Sequence, residues 1–173
     1  MHVVFGNELQ HYQMIRFVAN ARLERMTNAP VLNTFLWFPE NMDAALKFYV
    51  AELGAEVLSE NRAGDQLLTA TFSIGGQTLI GMNYPGTPGF NDSISLSLSV
   101  DGQAEIDKYW DAITRDGEEI ACGWCRDAFG VSWQIVPKDL QSYIGNPDPE
   151  KAAYAYDAMM KMKKIVIADF VKA

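Results

Sequence analysis

The chain is short of the side chains that do most catalytic work. Among 173 residues there are two cysteines and two histidines, and 14 lysines and arginines face 22 aspartates and glutamates, a net charge of −8. Two cysteines cannot staple a small secreted scaffold. With no secretory pattern at the start, a cytoplasmic protein is expected. An acidic surface repels phosphate backbones, so nucleic acid is not an expected partner. The one basic cluster, Lys161, Lys163 and Lys164, falls near the end of an expected helix, where cations suit the helix dipole. No apolar run approaches the roughly 18 residues of a membrane span, so no membrane partner is expected either. What is present is a core: 49% of residues are hydrophobic and 12% aromatic, enough for one globular domain at this length.

The first 25 residues differ from the rest. They hold both histidines, His2 and His11, with Arg16, Arg22 and Arg25, and they end just before Met26. Two readings stand: a genuine N-terminal helix, from the spacing of Met14, Ile15, Val18 and Leu23, or an over-long gene start with translation beginning at Met26. Residues 1–25 are therefore treated as an N-terminal extension and 26–173 as a single domain.

From Val31 the pattern sharpens. Val31 to Phe38 reads as a buried strand, stopped by Pro39. Asn41 is placed to cap a helix whose stripe is Ala44, Ala45, Phe48, Tyr49 and Leu53, closing at Gly54. Three strands follow, Ala55–Ser59, Leu67–Ile74 and Gln77–Asn83, the last two joined by the tight-turn pair Gly75-Gly76. A Pro- and Gly-rich connection spans Tyr84 to Asp92. Then the order repeats: an alternating strand over Ser93–Val100, a helix over Gln103–Arg115, and strands around Glu119–Trp124 and Val131–Val136 with a turn at Phe129-Gly130. Lys47-Phe48-Tyr49 with Ala51 lines up with Lys108-Tyr109-Trp110 with Ala112, and matching element order makes duplication the better reading. The modules span about 31–83 and 93–137. Asp148-Pro149 opens a tail helix expected to reach about Lys164, followed by a shorter one over Ile165–Val171. The class is α+β.

Phe35-Leu36-Trp37-Phe38 with Ala44-Ala45-Leu46-Lys47-Phe48-Tyr49 resembles the opening of the PhnB-like branch of the vicinal oxygen chelate superfamily, which includes glyoxalase I, bleomycin-resistance proteins and extradiol dioxygenases. Cys122-Gly123-Trp124, Asp127 and Phe129-Gly130-Val131-Ser132-Trp133-Gln134-Ile135-Val136-Pro137 resemble the signature of proteins labelled 3-demethylubiquinone-9 3-methyltransferase domain proteins. Asp148-Pro149-Glu150-Lys151-Ala152 and Met159-Met160-Lys161-Met162-Lys163-Lys164 resemble the tail of that group. The resemblance runs from about Val31 to the C-terminus. It implies two βαβββ modules forming curved mixed sheets around a cavity, with C-terminal helices and usually in a homodimer.

In metal-using relatives the first and last strands of each module each supply a His, Glu or Asp ligand. Here those strands, Val31–Phe38, Gln77–Asn83, Ser93–Val100 and Val131–Pro137, contain no His, Asp, Glu or Cys. Cavity-facing positions would come from Asn33, Thr34, Asn83, Ser95, Ser97 and Gln134, whose neutral oxygens bind a transition metal poorly, so no metal and no cofactor are expected. Nor is there a Gly-rich turn after the first strand of the kind that binds S-adenosylmethionine in doubly wound sheets.

The candidate site residues follow from this. Trp37, Trp124 and Phe129 are expected to line a pocket for a small apolar or aromatic molecule, with Asn83, Ser95 and Gln134 orienting it. Packing of these rings, and of Phe48, Tyr49, Trp110 and Trp133, in the core or a dimer interface is the competing reading. Cys122, in a Cys122-x-x-Cys125 pair, and Asp127, beside the Gly130 turn, are the candidates for chemistry. Cys122 and Cys125 lie at a strand end with no helix after them, unlike thioredoxin-type pairs, and turn capping accounts for Asp127. Three functions remain open: a metal-independent small-molecule binder, an enzyme of unassigned reaction, or a structural dimer without ligand.

Overall fold

The computed structural model describes residues 30–172, so the N-terminal 25-residue reading lies outside the described part. From Thr34 the chain forms one compact unit. The first module contains β1 (Thr34–Phe38), α1 (Met42–Leu53), β2 (Glu56–Ala63), β3 (Gln66–Ile74) and β4 (Gln77–Asn83). The second contains β5 (Leu96–Val100), α2 (Gly102–Thr114), β6 (Glu118–Glu119), β7 (Trp124–Arg126) and β8 (Ser132–Pro137). Their sheets have the same order, β1-β4-β3-β2 and β5-β8-β7-β6. In each, the first strand runs parallel to the last and the other pairs are antiparallel. The duplicated α+β architecture expected from the sequence is present.

Each helix covers one face of its own sheet. On β1, Leu36 and Phe38 turn inward and are buried, whereas Phe35 and Trp37 turn outward. Gly81 of β4 lets α1 approach, because a Cβ there would collide with the thioether end of Met42. The core is continuous across both modules, with Tyr49, Phe72, Trp110 and Trp133 fully buried, each contributing roughly 1.5–3 kcal/mol from removed apolar surface. The Gly75-Gly76 turn takes φ of 56° and 81°, which favours glycine, as the sequence implies.

Several local expectations are corrected. The single strand expected over Glu119–Trp124 is broken into β6 and β7, because Cys122 and Gly123 adopt φ of 55° and 84° and turn the chain. The strand expected from Ser93 begins at Leu96. The short helix α3 (Leu140–Ile144) was not expected. Asp148 does cap α4 (Pro149–Met159), accepting from the Glu150 and Lys151 N–H groups at 3.0 and 3.5 Å. That helix stops well before Lys164: the Met162 and Lys163 carbonyls instead accept from the Cys122 and Gly123 N–H groups, both at 2.8 Å. Lys161, Lys163 and Lys164 therefore lie beyond the helix, and Lys164 pairs with Asp107 and Asp111 on α2. A 3-10 helix over Ile167–Phe170 follows.

Asn41 precedes α1 without capping it. Its side chain makes no cap bond and its Oδ1 is buried without a partner. The cap comes from β4, where Asn83 Oδ1 accepts from the Met42 N–H at 2.9 Å.

Candidate functional site

Because opposed residues in a sheet share a face, register decides which candidates can meet a ligand. On the face of the first sheet that no helix among the described residues covers, the open face, Phe35 opposes Ile80 and Trp37 opposes Met82. Phe35 is 47% exposed and Trp37 45%, large apolar side chains left open on edge strand β1. Trp37 packs on Tyr84 with ring centroids 5.2 Å apart, and on Phe35 at 6.4 Å. On the second sheet's helix-free face, Ser97, Gln134 and Trp124 form one row across β5, β8 and β7. Gln134 Nε2 donates to Ser95 Oγ at 2.7 Å. The structure thus places Trp37 on one open face, and brings Ser95, Trp124 and Gln134 together on the other.

Two expected lining residues are elsewhere. Asn83 lies on the α1 side, its Oδ1 taken by Met42 and its Nδ2 donating to the Leu67 carbonyl at 2.9 Å. Thr34 lies on the same side by register. Phe129 packs against Phe48 and Tyr49, at 5.8 and 6.1 Å, in the aromatic contact between modules. Sequence alternation alone could have assigned Asn83, since it is in phase with Leu79 and Gly81 along β4.

Of the two candidates for chemistry, Asp127 is held in structural hydrogen bonds. Asp127 is 4% exposed, and its carboxylate is filled. Oδ1 accepts from the Phe129 and Val131 N–H groups at 2.9 and 3.0 Å, which closes the β7–β8 turn. Oδ2 accepts from the Tyr49 hydroxyl at 2.8 Å and the Trp133 indole N–H at 2.9 Å. Burial pushes the Asp127 carboxyl above its ordinary value, while the four donors pull it back. Tyr49 stacks on Phe72 and meets Trp133 edge-on, so the bond reaches from α1 into the second module through an apolar wall. The sequence supplies the cap but not this long-range partner, which lies 78 residues away.

Cys122 sits at the turn that receives the tail, its thiol 3.8 Å from the Met160 sulfur. Cys125 is buried toward α2, and burial, with Asp127 nearby, pushes its thiol up to about 12. A low-pKa nucleophile needs the opposite surroundings.

Among the described residues no three or more His, Cys, Asp or Glu side chains gather where they could hold one metal ion; His2 and His11 lie outside them. No helix among them is long and apolar enough to cross a membrane. Where Thr34 and Leu36 approach Ser95 and Ser132, the cleft holds about 20 Å³, near the size of one water. Larger hollows, about 380 and 390 Å³, border α4 rather than the sheets.

Paired βαβββ modules with this strand order are the fold that the resemblance to the vicinal oxygen chelate superfamily implies, and solved structures share it. A PhnB protein from Bacillus cereus, described as a putative 3-demethylubiquinone-9 3-methyltransferase, superposes with a TM-score of 0.58 at 24% identity, covering 62% of this chain and 99% of its own. A protein from Pseudomonas aeruginosa gives 0.56 at 24%, covering 63% and 98%. The fosfomycin-resistance protein FosX from Listeria monocytogenes, solved with Mn(II) and sulfate, gives 0.51 at 12%, covering 68% and 96%. None of the curated proteins matches this chain. The chain belongs to the 3-demethylubiquinone-9 3-methyltransferase family, whose model matches residues 30–136.

Proposed function

We propose that this protein binds a small apolar or aromatic molecule on the helix-free faces of its sheets, without a metal ion, and that a second copy closes the site. The observation behind this reading is the exposed aromatic group of Phe35, Trp37 and Tyr84. Phe35 and Trp37 stand on edge strand β1 and Tyr84 just past β4, on a sheet face that no helix among the described residues covers. Contiguous exposed apolar surface of this kind marks ligand or partner sites. The row of Ser95, Ser97 and Gln134 supplies neutral donors and acceptors to fix a ligand's orientation. A homodimer suits these surfaces, because among the described residues the seam between the sheets, at Thr34, Leu36, Ser95 and Ser132, offers room for about one water.

Metal independence rests on donor chemistry. Along β1, β4, β5 and β8 the open faces present Ser, Thr, Gln, Met, aliphatic and aromatic side chains, whose oxygens and lone thioether hold a divalent transition metal weakly, and Glu118 on β6 is already paired with Arg126. Methyl transfer from S-adenosylmethionine is disfavoured by the first strand–helix junction. It reads Phe38-Pro39-Glu40-Asn41, with no glycine to admit a phosphate or nucleoside against the backbone. Unpaired Cys122 and Cys125 suit the reducing cytoplasm.

The test is titration with N-phenyl-1-naphthylamine, an uncharged aromatic dye that brightens in apolar sites, alongside light scattering. Saturable binding at one dye per subunit on a dimer is expected, weakened ~10-fold or more by Trp37→Ala with the fold intact. No saturable binding, or binding indifferent to Trp37→Ala, overturns the ligand reading. A monomer mass overturns the closing second copy.

A further inference from the structure

Among the described residues, one cation stands on the open faces, and its partners decide what that face can bind. Register puts Arg126 of β7 opposite Ser132 of β8 and Glu118 of β6, on the same face as Trp124 and Gln134. It is the only cation on either open face among the described residues: Arg62 reaches over the α1 side to Asp43, and the lysines lie off the strands. A half-buried guanidinium beside a row of neutral hydroxyls would be a ready anion receptor, since its fork matches carboxylate, phosphate or sulfonate.

That fork is already filled. Asp92, from the loop joining the modules, accepts twice from Nη2 of Arg126, at 2.9 and 2.8 Å, and Glu118 accepts from Nη1 at 2.6 Å. Ser132 holds Asp92 in place, its hydroxyl donating to Oδ1 at 2.7 Å. Two carboxylates on one guanidinium leave this corner with a net charge of about −1, within a protein already at −8. The Ser132 hydroxyl, then Arg126, holds Asp92 below the usual carboxylate range, so the lock stays charged near neutral pH.

We infer that Asp92 and Glu118 are specificity-determining residues that occupy Arg126, so that the site takes an uncharged aromatic ligand and rejects anions of similar shape. The inference rests on the binding reading above and narrows its ligand class. It also sets this chain apart in chemistry from the FosX of the same fold that was solved with sulfate bound. Rejection has two sources: an anion must displace a carboxylate from Arg126, and it meets the excess negative charge left beside it.

The test uses two dyes on the same ring skeleton, N-phenyl-1-naphthylamine, which is neutral, and 8-anilinonaphthalene-1-sulfonate, which is not. It is run at low ionic strength, where exposed charges are least screened. The natural protein should prefer the neutral dye by ~10-fold or more, and the Asp92→Asn/Glu118→Gln double variant should tighten the sulfonate ~10-fold while moving the neutral dye less than about twofold. Adding Arg126→Gln to that variant should abolish the gain, which shows that the freed guanidinium causes it. Unfolding midpoints and near-ultraviolet circular dichroism exclude loosened variants that bind dyes non-specifically; if the double variant loosens, Glu118→Gln alone, at an exposed partner, should give a smaller gain of the same sign. Equal affinity of the natural protein for both dyes, or an unchanged preference in the folded variants, overturns the inference while leaving the binding site standing. Failure of the neutral dye to bind in a manner sensitive to Trp37 overturns the binding reading, and this inference with it.

Discussion

Asp127 receives four hydrogen bonds, two from the backbone of its own turn and two from aromatic side chains that reach it through the core. Removing one donor leaves a buried acceptor short, so Tyr49→Phe is expected to cost about 1–3 kcal/mol in chemical denaturation at neutral pH. The same bond has a signature in alkali. Burial, then the charge and hydrogen bond of Asp127, holds the Tyr49 hydroxyl well above the ordinary 10.0. Between that value and its raised folded value the unfolded chain loses the proton and the folded one keeps it, so stability falls as pH rises above about 10. Tyr49→Phe should make that part of the decline shallower, and an unchanged slope would count against the burial of this hydroxyl. The two thiols separate just as cleanly. In native protein at pH 8 iodoacetamide should label Cys122 alone, since Cys125 is fully buried with its thiol pushed to about 12, and unfolded protein should take two labels. Prompt native labelling of Cys125 would contradict its position.

At the scale of elements, much of the fold was legible. Period-2 and period-3.6 patterns place both module helices and most strands within a few residues, and Gly75-Gly76 marks its hairpin. What was not legible depends on partners distant in sequence. Asn41 has the composition of an N-cap at the right position, yet Asn83, 41 residues beyond Met42, takes the Met42 N–H. Asn83→Ala is therefore expected to lower stability by about 1 kcal/mol or more, and Asn41→Ala, which removes an unpartnered oxygen, to be neutral or better. The reverse order in thermal unfolding would show that local sequence had the cap right. The α4 helix stops at Met159 against its own propensity because the following carbonyls serve the Cys122–Gly123 turn. Of the candidate site, Trp37, Ser95, Trp124 and Gln134 fall on open faces, where alternation in the strands puts them. Phe129 does not, because its turn folds back over Phe48 and Tyr49, a contact between modules that no single-strand pattern encodes.

For the whole molecule, the two modules share one core but few polar links: among the described residues, buried Tyr49–Asp127 and the exposed Arg115–Glu52 pair are the side-chain hydrogen bonds between them. Aromatic packing supplies most of the cohesion, and the buried bond fixes register within it. The tail adds a tie of another kind. Its Met162 and Lys163 carbonyls hold the Cys122–Gly123 turn, Ile165 is fully buried, and both ends of the Gln103 amide bond the Ile165 carbonyl and Ile167 N–H, at 2.9 and 2.8 Å. Met162 to Ile167 thus behave as an extra strap stitched to the start of α2 and to the β6–β7 turn. For anyone handling the protein this sets where the chain can be altered: a tag after residue 172 leaves the strap intact. A stop codon or protease nick near Met160 strips the second sheet of it and leaves the Cys122 and Gly123 N–H groups unpaired.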